Sequence, residues 1–312
     1  MGLPKPSPYF ANHNYYGAMG LGIAAVKLNL ELWQRGLLKE VKSVCDIGSQ
    51  ELHLAEEDFS ALLRQAGIDA YPADRFANLG NWPGQPRSSA KPFYELLGAT
   101  RYGSIDLNGE HGAIKLDLNF PLEDRSLWGT YDLVTDYGAN EHAFNIAEAY
   151  RTLHRLCRPG GLLIAMQQTW LGNGYYLFDL SFYEGLAAAN GYDILSASYV
   201  IMPKAKTEYG SLDGYHIPLS RELLGTIDIG QVGSIGIAYV LRKRTDADFR
   251  FPYQREYLAQ RQGHSGYRLQ FLPDPPSRTH LPMFGTDVAT MSTSALVKTL
   301  VGRVRRRLHL RT

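Results

Sequence analysis

Apolar residues recur along this chain in two rhythms that take turns. Short apolar runs bounded by polar and turn residues predict strands at 41–47, 101–107, 114–118, 131–135, 162–166, 193–200 and 234–241. Between them apolar residues fall at three- and four-residue steps. Leu21, Ala24, Ala25, Leu28 and Leu32 predict a helix over 19–35 that Gly36 stops. Phe59, Leu62 and Leu63 predict a short helix ended by Gly67, and Phe93, Leu96 and Leu97 one capped by Ser89 and ended by Gly98. Phe144, Ala147, Tyr150, Leu153 and Leu156 make the strongest amphipathic stripe, and Phe182, Leu186 and Ala189 predict a helix over 179–190. Strands alternating with helices predict an α/β fold, a doubly wound, mostly parallel sheet covered on both faces.

Three stretches break the alternation. Residues 1–18 are rich in Pro, Asn, Tyr and Gly and read as irregular, so that 1–40 forms a helical N-terminal segment. Residues 50–90 form an insertion carrying Tyr71-Pro-Ala-Asp-Arg75 and Asn81-Trp-Pro-Gly-Gln-Pro-Arg87, which read as loop: a lid, a binding loop or a solvated excursion. Residues 246–312 form an extension that closes on a basic amphipathic helix, with Leu296, Leu300, Val304 and Leu308 at four-residue steps and Arg303, Arg305, Arg306 and Arg307 among its charges. Over 293–311 that pattern suits peripheral contact with an acidic membrane surface, and equally a solvated terminal helix or a homo-oligomer contact.

Composition narrows the class. With 32 basic and 31 acidic side chains the net charge is +1, so no global field draws the protein to nucleic acid. Cys45 and Cys157 both lie in apolar patterns and read as buried thiols of a reducing compartment. The N-terminus lacks the basic start and apolar core of a signal peptide, and no uncharged run reaches the roughly 18 residues of a membrane span. A cytoplasmic globular protein is the expectation. The histidines are scattered without zinc-site spacing, so no metal is expected.

The first strand ends in Asp46-Ile-Gly-Ser-Gln-Glu51, an acid and a turn at the edge where open α/β sheets bind ligands, which would set Asp46 and Gly48 at the rim of a cofactor site. A dinucleotide site needs three glycines to bring backbone against a pyrophosphate, and here Gln50 and His53 stand at the second and third positions. S-adenosylmethionine has no phosphate. It needs one close-approach glycine, polar groups for its amino acid end and an acid for its ribose. Asp46, Gly48, Ser49 and Gln50 meet the first two needs, and Asp106 at the end of the second strand meets the third.

With these residues in place the chain resembles the class I S-adenosylmethionine-dependent methyltransferases over 41–245. Val44-Cys-Asp-Ile-Gly-Ser-Gln50 is similar to their first motif, and Tyr102-Gly-Ser-Ile-Asp106 to their ribose-binding strand. Ile114-Lys-Leu-Asp-Leu-Asn-Phe-Pro-Leu122 resembles their third-strand segment, Tyr131-Asp-Leu-Val-Thr-Asp136 their fourth strand and Leu156-Cys-Arg-Pro-Gly-Gly-Leu-Leu-Ile164 the turn into the fifth. The resemblance implies a seven-stranded Rossmann-like sheet with an antiparallel last strand. It also implies Asp117 and Leu118 near the adenine and Asp136 among the cofactor-binding positions. The segment Phe182–Tyr192 is similar to methyltransferase-like proteins of bacterial surface polysaccharides.

In this fold the loop after the fourth strand faces the transferable methyl group. Here it reads Asp136-Tyr-Gly-Ala-Asn-Glu-His142. His142 is the leading candidate base, since imidazole titrates near neutral pH, while Glu141 could orient it, bind substrate or act as the base itself. Equally, Asn140 could cap the following helix and leave both residues as decoration of its first turn. Gln167-Gln-Thr-Trp-Leu-Gly-Asn-Gly-Tyr-Tyr176 adds amides and rings suited to a sugar, glycan or other polyhydroxylated small-molecule acceptor. The expectation is methyl transfer from S-adenosylmethionine to such a hydroxyl. A nicotinamide-dependent sugar oxidoreductase and a non-catalytic methyltransferase-like partner subunit are the alternatives.

Overall fold

The structure, a computed structural model, describes residues 20–81, 84–204 and 214–253. The proposed C-terminal basic helix at 293–311 lies outside the described residues.

Seven strands form one sheet in the order β2-β1-β3-β4-β7-β5-β6. They are β1 (Ser43–Ile47), β2 (Arg101–Ile105), β3 (Tyr131–Tyr137), β4 (Cys157–Trp170), β5 (Tyr192–Pro203), β6 (Tyr215–Pro218) and β7 (Val232–Lys243). β1 pairs in parallel with β2 and β3, and β3 with β4. β7 slots antiparallel between β4 and β5, and β6 runs antiparallel to β5. This is the expected doubly wound Rossmann-like sheet with its antiparallel last strand.

Alternation along the central strands sorts the core into two layers. Val44, Leu133, Leu162 and Ile164 face one side, under α1 (Ile23–Gln34), α2 (Glu56–Gln65) and α3 (Lys91–Leu96). Cys45, Val134, Leu163 and Ala165 face the other, under α4 (Ile146–Leu156) and α5 (Leu180–Asn190). Both cysteines are buried and unpaired. Residues 20–40 belong to the first layer, since α1 buries Ile23, Val26, Leu28, Leu30 and Leu32 there.

Several expectations need correction, among them Phe144, which precedes α4 and is largely exposed instead of lying on its buried stripe. Residues 114–118 form no strand: Ile114 makes a single parallel bridge to Ile105, and the chain then turns where Asp117 captures the Asn119 backbone and amide N–H groups at 2.9 and 2.7 Å. The seventh strand is instead β6, a four-residue hairpin partner of β5 held to α1 by the His216 ring, which bonds the Ala24 carbonyl at 2.9 Å. The predicted helix over 19–35 starts at Ile23, because Leu21 is drawn out to bridge Leu52.

The insertion contributes to the core through α2 and Phe76, while most of the described residues of 69–87 are exposed turn. Phe59 on α2 meets Tyr71, Phe76 and Phe93 with ring centroids 5.4, 5.0 and 6.0 Å away. Phe59 and Phe93 are wholly buried. Its two ends are tied where they meet β1: Leu52 N–H donates to Ser88 O, Ala90 N–H to Gln50 O and His53 N–H to Leu21 O. The turn Arg158-Pro-Gly-Gly161 bulges out of the β3–β4 ladder between the Tyr131–Cys157 and Leu133–Leu162 pairs, and Arg158 anchors it to Asp132.

Candidate functional site

From β1 the chain crosses to β2 on one side and reaches β3 on the other, so the crevice beyond the end of β1 is the switch point at which such sheets bind ligands. Gly48 occupies it in the left-handed region, with φ of 86°. A side chain there would stand 2.9 Å from Gln50 Nε2 and 3.2 Å from Ala139 Cβ. Gln50 folds back, donating its amide to Ile47 O at 2.8 Å. The next amide, Ser49 N–H, donates to Asp106 Oδ2 at 2.7 Å, and the Ser49 hydroxyl donates to Asn108 Oδ1 at 2.8 Å. The structure thus joins Gly48, Ser49, Gln50 and Asp106 across the ends of two adjacent strands.

Asp46 is not at the rim. It is fully buried on the α1–α3 face, because it shares the parity of Val44. Tyr102 OH donates to its Oδ2 at 2.7 Å and the Thr135 hydroxyl to its Oδ1. Burial raises its pKa to about 6 against those bonds. Asp117 and Leu118 are half-buried beyond β2, Leu118 packing on the α4–α5 layer.

Glu51, the next residue after Gln50, is buried between the insertion and the loop after β2. Burial opposes its charge, but contacts with His53, Arg87 at 2.9 Å and His111 at 3.0 Å outweigh burial and hold its carboxyl at about 2. It fastens the insertion to the loop after β2.

On the other side of the crevice, β3 ends in Asp136, which is fully buried. Its Oδ1 accepts from the Ala139 and Asn140 amides at 3.0 and 3.1 Å, and its Oδ2 from Gln167 Nε2 at 2.6 Å. Burial lifts it to about 6. Residues Asn140–His142 form a single 3₁₀ turn, and the helix cap is Asn145, whose side chain accepts from Glu148 N–H. Asn140 therefore does not cap α4: the chain runs extended at Ala143 before α4 begins.

That tight turn sends adjacent side chains in opposite directions. His142 has half its side chain (51%) in solvent, and burial of the remainder lowers its pKa. Glu141 has none of its surface exposed, and burial raises its carboxyl to about 7. Glu141 Oε2 accepts from Gln168 N–H at 3.2 Å, while its Oε1 has no hydrogen-bond partner and lies 3.7 Å from His142 Nε2. Beside it, both polar atoms of the Asn140 and Gln168 amides and Oε1 of Gln167 are buried without partners.

The loop after β4 closes this cluster. Tyr175 N–H donates to Glu141 O at 2.8 Å, Phe178 N–H to Gln168 O at 2.8 Å and Tyr176 OH to Phe144 O at 2.6 Å. Gly174 packs so tightly that a Cβ would lie 2.7 Å from the Glu141 side chain and carbonyl. Among the described residues no group of three or more His, Cys, Asp or Glu could hold a metal ion, and no helix is long and apolar enough to cross a membrane.

No family model matches the sequence, and no curated protein matches it. Among solved structures the chain is similar to a 1,6-didemethyltoxoflavin-N1-methyltransferase of Burkholderia thailandensis, at 11% identity over 78% of this chain and 94% of that one, with a TM-score of 0.36. It is similar to a SAM-dependent methyltransferase from Archaeoglobus fulgidus, at 12% identity over 76% and 100%, with a TM-score of 0.35. It is also similar to the MycE methyltransferase of the mycinamycin biosynthetic pathway, at 13% identity over 80% and 58%, with a TM-score of 0.39. Similarities this distant leave the activity to be argued from the chain's own residues.

Proposed function

We propose that this chain is an S-adenosylmethionine-dependent methyltransferase acting on a hydroxyl of a small polar acceptor. The observation that carries the reading is the switch point itself. One left-handed glycine, Gly48, is followed by an amide held against the Asp106 carboxylate. The Gln50 side chain, where a pyrophosphate would need bare backbone, is folded over the turn.

The residues fit such a cofactor. Asp106 is half-buried and gives oxygens to Ser49 and Asn108 amides, which leaves lone pairs of its roughly four for a ribose diol. Ala139, beside Gly48, and Leu118, next to Asp117, offer half-buried apolar surface for an adenine. S-adenosylmethionine supplies an electrophilic methyl group on a sulfonium centre.

For the acceptor, Glu141 is better suited as the base than His142. Its free Oε1 and a pKa of about 7 let it take the hydroxyl proton as the oxygen–carbon bond forms and the carbon–sulfur bond breaks, with the electron pair leaving on sulfur. His142, 3.7 Å away and half in solvent, then carries the proton outward.

Calorimetry with S-adenosylhomocysteine and NAD tests the cofactor. Micromolar binding of the first, weakened about tenfold or more in Asp106→Ala, is expected. Tight NAD binding with no binding of the first overturns the proposal. A Glu141→Gln variant should bind cofactor yet lose roughly a hundredfold in turnover, with the wild-type rate rising through about pH 7. Full turnover in that variant removes the base assignment.

A further inference from the structure

We propose that the acceptor is an uncharged molecule that pairs a flat aromatic body with a hydroxyl- or amide-bearing edge. The inference rests on the methyltransferase reading for its role, but its site is defined independently of the cofactor.

Phe144 and Tyr175 are 72% and 71% exposed, and their rings meet edge to face with centroids 5.7 Å apart. Leu177 on the same loop and Phe120, whose neighbour Asn119 bonds Asn145, are also exposed. Large apolar side chains gathered outside the core, with polar groups at their edge, mark a surface that receives something. A T-shaped ring pair leaves ring faces open to stack a third.

The rim shares its two loops with the buried polar cluster. Tyr175 is bonded to the Glu141 carbonyl, and Phe144 lies three residues past Glu141. Below it wait six buried atoms without partners: two on Asn140, two on Gln168, and one each on Glu141 and Gln167. Such atoms are nearly always satisfied in proteins, so a cluster of six asks for a ligand. Each amide of Asn140 and Gln168 offers both a donor and an acceptor, the complement of a hydroxyl or amide edge. Because the cluster has no exposed surface, the segment 171–178 must lift to admit it, with Gly172, Gly174 and the left-handed Leu171 (φ 54°) as the bending points.

Charge narrows the class further. Asp136 and Glu141 are both here, and among the described residues no Lys or Arg bonds either. A carboxylate or phosphate on the acceptor would face two acids without a counter-charge.

The test is calorimetric titration at pH 8, with and without S-adenosylhomocysteine, using three probes. They are 4-hydroxybenzamide (flat and uncharged), 4-hydroxybenzoate (flat and anionic) and glucose (uncharged and without a ring π face). The amide should bind at least about tenfold tighter than either of the others. The Phe144→Ala/Tyr175→Ala variant should lose about tenfold for the amide, with S-adenosylhomocysteine affinity held within about twofold. Equal or tighter binding of benzoate or glucose overturns the proposal, as does unchanged amide binding in the variant or no saturation by the amide. If S-adenosylhomocysteine does not bind while the amide behaves as expected, the methyltransferase reading fails and the acceptor site stands.

Discussion

Two neighbouring strands each bury an acid at almost the same level of the sheet, and the two sites have opposite characters. Asp46 pairs in register with Thr135, and Ile47 with Asp136. One step along the ladder moves the carboxylate from one face to the other. On the α1–α3 face, Asp46 is sealed among Tyr102, Thr135 and Tyr94, with both its oxygens accepting hydroxyl hydrogens. On the α4–α5 face, Asp136 heads a cluster in which Asn140, Glu141, Gln167 and Gln168 keep buried atoms unpaired. Burial raises both aspartates to about 6, so burial does not distinguish a scaffold from a site. Partner satisfaction does. Around Asp46 both carboxylate oxygens are satisfied and one hydroxyl, that of Tyr94, has no partner; around Asp136 six buried atoms have none, the larger call for a ligand.

The largest test of this contrast is Asp46→Ala. It strands two buried hydroxyls and leaves a cavity, and should cost about 2–4 kcal/mol in urea denaturation at pH 5. The folded pKa of Asp46 lies above its unfolded value, so its charge weighs against folding as pH rises through about 6. The penalty of the substitution should therefore shrink by pH 8. A loss below about 0.5 kcal/mol at pH 5 would mean that the hydroxyl network is idle.

Glu141→Gln should have the reverse sign. The folded state keeps its proton up to about pH 7 while the unfolded chain releases it near 4.5. Wild-type stability thus falls through that window on account of this group, and the glutamine variant does not share the fall. It should be about 1–3 kcal/mol more stable than wild type at pH 8 and no different below pH 4.5, read from the same urea curves. A site residue whose removal strengthens the fold is the expected trade of stability for function. Gly174→Ala acts on the cover of the same cluster. Its Cβ would meet the Glu141 carbonyl at 2.7 Å, which the loop must relieve at a cost of about 1–2 kcal/mol. Proteolysis should then cut faster within 171–178, with the rest of the chain protected as before.

Much of the sheet was legible because its signals are local. Six of the seven strands and every α-helix packed on the sheet's central strands announce themselves by apolar rhythm and stop residues, such as the left-handed Gly67 just past α2. What failed needed long-range information. Ile114-Lys-Leu-Asp-Leu118 alternates like a strand, yet Asp117 turns the chain by bonding Asn119 after one bridge. The brevity of β6 hides it from any periodicity, since only its pairing with β5 makes it a strand. The stretches 71–75 and 81–87 read as loop and are mostly exposed turn; hidden from the sequence was the packing of Tyr71 and Phe76 on Phe59, which meet only in the fold. At the site, parity along β1 already put Asp46 with Val44 on the core face, a signal outweighed by its place near the strand end. His142 drew the base assignment on its intrinsic titration range, whereas a 3₁₀ turn decides that Glu141 points inward and His142 out.

The smallest effect sharpens the contrast most. Gln168→Leu removes two buried polar atoms without partners and keeps a side chain of similar size, and its backbone N–H still reaches Glu141 at 3.2 Å. Where a buried amide is bonded to its neighbours, removing it strands them and destabilises the fold. Here no neighbour is stranded, so the leucine should leave the fold unchanged or stabilise it by about 1 kcal/mol, measured as a shift of the urea midpoint at constant slope. The same variant should bind 4-hydroxybenzamide more weakly, because the edge-reading amide is gone. A Gln168→Leu protein that lost about 2 kcal/mol or more would show that the amide is already satisfied, and the cluster would then be scaffold on both faces of the sheet.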